Sequence, residues 1–148
     1  VAGYREGVIL GKRRKGRELL VQALYASRLS KSSVQDCIDD QLERRVASAE
    51  TAAFVRPLGE YIELNFASID RTLNRALTNW DPDRIGNVER SIMRMCIAEV
   101  SFSDEVPAAV ALNEALEVAR LFVDDDAVRF INGVLDNALK SIKQEKTD

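Results

Sequence analysis

Five of the six residues in Lys12-Arg13-Arg14-Lys15-Gly16-Arg17 are cations. Such a run suits a nucleic-acid backbone or a localisation receptor, or it is simply solvated. Residues 1–30 carry seven Lys/Arg and two acids, a net of +5, while residues 31–148 carry fourteen and twenty-two, a net of −8. A basic arm on an acidic body points to an anionic partner for the arm. It also argues against a protein that coats nucleic acid over its whole surface.

Residue types exclude much other chemistry. The chain of 148 residues has no histidine, which removes Ser-His-Asp and Cys-His catalysis and every His-ligated metal site. Cys37 and Cys96 lie far apart, form no CxxC pair, and read as small buried hydrophobes in a reducing compartment. Asp124-Asp125-Asp126 offers oxygen ligands for a hard cation but lacks the Gly and distal Glu of a calcium loop, so capping a helix is the better reading. Glu89 and Glu99 read as isolated surface acids rather than an acid/base pair. No GxxxxGK[ST] or GxGxxG phosphate loop is present. The expectation is a protein with no catalytic apparatus, metal, cofactor or small-molecule substrate.

These residues need a scaffold, and the periodicity describes one. Composition is 46% hydrophobic and 30% charged, an ordinary globular balance, and seven Gly with three Pro are too few for a many-turned β fold. The basic run opens a helix over about residues 12–29, in which Leu20, Ala23, Leu24 and Ser27 share a face. Cations at a helix start oppose the macrodipole, so local stability does not account for them. Ser30-Lys31-Ser32-Ser33 caps a second helix, with Val34, Ile38, Leu42 and Val46 recurring every four residues. A third stretch runs from Phe54 through Leu77 to Trp80, with Pro57 delaying its start or kinking it. Asn87 caps a helix burying Val88, Ile92 and Met95. Another follows Val106-Pro107, with Ala111, Ala115, Val118, Ala119 and Phe122 on one face. The acidic triplet caps a last helix, where Ile131, Val134, Leu135, Ala138 and Ile142 form a stripe. The result is an all-α domain of six or seven helices over residues 12–143, between a lead-in, 1–11, and a polar tail, 144–148. The longest uncharged run, 19–27, is far too short to span a bilayer, and no secretory signal is visible, so a cytoplasmic protein is expected.

Three ordered blocks carry a family likeness. Arg13-Arg14-Lys15-Gly16-Arg17-Glu18, followed by Gln22-Ala23-Leu24-Tyr25, resembles the opening helix of the NusB family of bacterial transcription antitermination factors. Trp80, Asp83-Arg84-Ile85 and Val88-Glu89-Arg90-Ser91-Ile92-Met93-Arg94 resemble its central signature. Val106-Pro107, Asn113-Glu114-Ala115, Ala119, Phe122 and Arg129-Phe130-Ile131-Asn132-Gly133-Val134-Leu135-Asp136 resemble its C-terminal half. The chain departs from the pattern at Gly16, where Ala is usual, at Ala108 and Ala109, and at Ala127-Val128.

The resemblance implies a compact bundle of two packed helical subdomains. It implies binding to boxA, a single-stranded RNA element of ribosomal RNA leaders. It also implies a heterodimer with NusE, a protein of the small ribosomal subunit, working with RNA polymerase to suppress premature termination. Charge and resemblance together make Lys12, Arg13, Arg14, Lys15 and Arg17 the expected phosphate contacts. Phe130 and Asp126 are the expected base contacts, since single-stranded RNA is read by stacking and by hydrogen bonds to base edges. Glu89, with Arg94 second, is the expected partner contact. Two other readings stand beside this one: the NusB-like domain of a ribosomal RNA cytosine methyltransferase, and a protein scaffold whose basic arm is only solvated.

Overall fold

The computed structural model describes residues 2–147. Seven α-helices occur among them: α1 (Ala2–Ser30), α2 (Val34–Arg44), α3 (Ala49–Leu64), α4 (Phe66–Ala76), α5 (Asn87–Phe102), α6 (Ala108–Phe122) and α7 (Asp125–Thr147). One 3-10 turn, Pro82–Arg84, precedes α5. Helices α1–α3 pack together as one group and α4–α7 as another. Helix α5 lies between them, touching α1 and α3 on one side and α4, α6 and α7 on the other.

Local chemistry sets the helix starts. Ser33 and Ser48 each accept a backbone N–H two or three residues inside α2 and α3, at 3.0 and 3.1 Å. Asp124 Oδ1 accepts the Ala127 N–H at 2.9 Å, and Asp125 and Asp126 lie in the first turn of α7. The acidic triplet therefore caps, as its position suggested. Cys37 and Cys96 are buried free thiols, and burial pushes the Cys96 thiol well above its ordinary range.

Several expectations need correction. Val46 does not continue the stripe of α2: the helix ends at Arg44, and Val46 takes a left-handed φ of 49° with its side chain exposed. The third stretch is two helices, because Asn65 leaves helical geometry at φ −128° and donates its side-chain amide to the Tyr61 carbonyl at 2.8 Å. Helix α3 starts at Ala49 and runs through Pro57, whose ring nitrogen has no proton for the Ala53 carbonyl. Gly86, not Asn87, holds the N-cap position of α5. Residues 2–11, expected as a lead-in, continue α1, and residues 144–147, expected as a tail, continue α7. At that end, Lys146 Nζ donates to the Val100 carbonyl at 2.7 Å and to Asp104 at 2.9 Å, answering one of the open carbonyls of the last turn of α5. Val1 and Asp148 lie outside the described residues.

From Ser91 to Val100 helix α5 is buried almost all round, with Ile92, Met93, Met95, Ile97 and Val100 enclosed. A helix of that kind belongs at a centre rather than a surface. One charge accompanies it inward. Glu99, expected on the surface, is 3% exposed and receives Arg17 Nε at 2.8 and 2.9 Å and Nη2 at 2.8 Å. This pair ties α1 to α5. Replacing Glu99 by Ala leaves the Arg17 guanidinium buried without its main carboxylate, a change that costs about 3–5 kcal/mol. Urea unfolding should show that loss, and the double variant Arg17→Met/Glu99→Leu should recover most of it, because a buried pair replaced by apolar groups is often neutral.

Candidate nucleic-acid interface

The basic run, expected to open a helix, lies inside α1, which starts at Ala2, and it divides into two kinds of cation. Arg17 is 2% exposed and engaged with Glu99, so it is corrected from a phosphate contact to a core residue. Its Nη1 makes no hydrogen bond and lies 3.7 Å from Glu114. Arg14 is half exposed and forks onto Glu114 of α6 through Nε and Nη2, both at 2.9 Å. That hydrogen-bonded guanidinium holds the Glu114 carboxyl below its ordinary range, against the opposing effect of burial. Lys12 pairs with the exposed Glu50 at 3.1 Å, and this with Glu50's own backbone hydrogen bond draws the Glu50 carboxyl down. Arg13 stands over the Phe54 ring at 5.7 Å from its centroid, without a carboxylate partner among the described residues. Lys15 is exposed and has no ion pair among the described residues.

Glycine at position 16 has a packing reason. A Cβ there would meet Val55 Cγ2 at 2.9 Å, closer than side chains tolerate. The departure from Ala thus lets α1 approach α3, and it does not loosen the basic helix as a free surface glycine would.

The expected base contacts occupy a second place. Phe130 is half-buried and meets Trp80, the sole tryptophan, edge to face with ring centroids 4.8 Å apart. A cleft of about 570 Å³ opens beside them, also lined by Asp126, Ile85 and Glu89. Asp126 stands at its rim, with a side chain 91% exposed and paired to Arg129 at 3.1 Å. Glu89, expected at a separate partner surface, shares this cleft with the aromatic pair. Trp80 is 56% exposed and is not among the expected site residues, although it is the sole tryptophan and heads the central block of the family resemblance.

Arg94 is corrected. Its Nε and Nη2 fork onto Asp70 of α4 at 2.8 and 2.9 Å, its guanidinium lies over Phe66, and its side chain is 11% exposed. It holds α5 to α4 and is not presented to a partner. Among the described residues no group of His, Cys, Asp or Glu is arranged to hold a metal, and no helix is long and apolar enough to cross a membrane.

The two places sit at opposite ends of α5. Glu99 marks the basic end and Glu89 the cleft, ten residues apart, or about 15 Å along a helix. The fold therefore separates a cationic surface from an aromatic, acid-rimmed one.

Comparison with known proteins agrees with this architecture. Over 132 residues the chain is 39% identical to the transcription antitermination protein NusB of Bacillus velezensis, covering 89% of this chain and 98% of that one. With the protein of the same description from Proteus mirabilis it is 35% identical over 133 residues, covering 90% and 96%. The solved structure of T. maritima NusB superposes with a TM-score of 0.80 at 25% identity, covering 86% of this chain and 90% of that one. A NusB solved with NusE and double-stranded RNA superposes at 0.78 and 22% identity over 88% and 97%, a likeness of fold. The model of the NusB family matches residues 14–140, nearly the whole helical bundle, and the chain belongs to that family.

Proposed function

We propose that this chain is a cytoplasmic transcription antitermination factor. In this reading it binds the single-stranded boxA element of ribosomal RNA leaders, pairs with NusE, and acts with RNA polymerase to suppress premature termination. The role is one of assembly and not of catalysis. The observation that carries it is the basic run of α1, where Arg13 and Lys15 have no carboxylate partner among the described residues of an otherwise acidic protein. Backbone binding by such cations is the sequence-independent part of RNA affinity. Lys12 and Arg14 add to it by exchanging Glu50 and Glu114 for phosphate.

Phe130 and Trp80 supply what phosphate contacts lack. A half-buried ring beside an exposed indole offers a base a face to stack on, with Asp126 at the rim to accept a base N–H. Glu89, at the same cleft, is the partner contact, so NusE and a bound base are neighbours in this reading.

Three measurements test it. Replacing Arg14 and Lys15 together by Ala should weaken boxA binding and flatten the log–log salt dependence by about 0.7 per lost phosphate contact; an unchanged slope in a folded variant removes α1 from the interface. Phe130→Ala should lose a stack worth about 1–3 kcal/mol. Because Trp80 is the sole tryptophan, its emission should also change as wild-type protein saturates with RNA; constant emission together with unaltered affinity takes the bases out of this cleft. Charge reversal by Glu89→Lys should impair the NusE complex and leave RNA binding by the protein alone largely intact, and wild-type NusE affinity would place that interface elsewhere.

A further inference from the structure

The aromatic residues next to the basic run of α1 are not Trp80 and Phe130. Arg13 and Phe54 line a groove of about 250 Å³ with Pro57, Phe102 and Val106, between α1, α3 and the segment joining α5 to α6. A shallower hollow of about 310 Å³ continues it past Phe54 to Lys12. Phe102 ends α5 as an exposed residue, 48% accessible, with its ring tilted 45° against Tyr61 at a centroid distance of 5.3 Å. The contact with Tyr61 steadies the ring while the residue stays open to solvent. Of the carboxylates on the groove wall, Glu99 is committed to Arg17 and Glu105 is exposed. Arg13 is the cation here without a carboxylate, and its guanidinium lies over Phe54.

We propose that this groove is a second base-stacking station for single-stranded RNA. A base stacks on Phe102 while the adjoining phosphates are held by Arg13 and Lys12. The inference rests on the RNA-binding reading above and adds to it a place that α5 separates from the Trp80–Phe130 cleft: thirteen residues, about 20 Å of helix, lie between Glu89 and Phe102. Exposed aromatic rings interleaved with cations are what a single strand binds without base-specific hydrogen bonds; here Arg13 has no carboxylate among the described residues, and Lys12 would exchange Glu50 for phosphate. The Trp80–Phe130 cleft has the rings and the acids Asp126 and Glu89 but no cation among its lining residues; this groove sets the cations Arg13 and Lys12 beside its rings, along with its own acids Glu105 and Glu50.

The test measures binding of single-stranded boxA RNA to the full chain at several salt concentrations. Phe102→Ala should weaken binding about tenfold with no change in salt slope, because a stack releases no counterions, and Phe102→Tyr should restore it. Arg13→Ala should weaken binding and lower the slope by about 0.7. RNA substituted with 4-thiouridine should crosslink, on irradiation of the wild-type protein, to a peptide containing Phe102. If the wild type binds RNA but Phe102→Ala binds equally well, or no crosslink reaches that peptide, the second station is overturned and the RNA reading stands. If Phe102→Ala weakens NusE binding and not RNA binding, the groove is a protein site and the proposal is likewise overturned. A wild type that binds no RNA overturns both.

Discussion

A buried guanidinium stays charged at any pH a protein meets, so enclosing Arg17 obliges the fold to bring a carboxylate to it. Glu99 is that carboxylate, and reaching it fixes the register of α1 against α5. Glu114 joins from α6, 3.7 Å from Arg17 and forked by Arg14, so one chain of alternating charges links three helices. Apolar packing fixes these helices by shape. A buried pair adds a directional constraint, since displacement strands both charges in a medium that solvates them poorly. The stability lies in the apolar core around α5, while the position of α1 lies in this ion network.

The network also governs which cations remain available. Of the five in the basic run, Arg17 is consumed by the core, and Arg14 and Lys12 are shared with Glu114 and Glu50. A phosphate displacing Glu114 from Arg14 would leave Glu114 to Arg17, which already stands near it with a free Nη1. Ligand exchange at this site thus leaves neither partner stranded. An exposed arginine with a single carboxylate partner would lack that second acceptor for the released charge.

Much of this was legible from the residues. Helix stripes such as Leu20, Ala23 and Leu24, or Ile131, Val134 and Leu135, are local and mark their buried faces by spacing alone. The capping role of Asp124 is equally local. What escaped was long-range. Arg17 stands three residues before Leu20 and seven before Leu24, on the same face as that stripe, but its partner Glu99 is 82 positions away, and no local pattern names it. The Arg94–Asp70 fork escaped for the same reason, at a separation of 24. Val46 continued a four-residue period that the backbone abandons after Arg44, because periodicity records what a helix could bury and not where the chain must turn.

Gly16 connects the two scales. Against the usual Ala it reads as a weakened helix, since Gly costs about 1 kcal/mol in a helix interior. In the fold it faces Val55 and Phe54, where a methyl group would press on a β-branched side chain that has no room to yield. The close approach it permits sets Phe54 beneath the guanidinium groups of both Arg13 and Arg17, at 5.7 and 5.1 Å. One of those arginines turns inward to the ion network and the other faces the groove that ends at Phe102. A residue that looks like a local defect thus sets the spacing between α1 and α3, and that spacing gives the basic helix an aromatic floor.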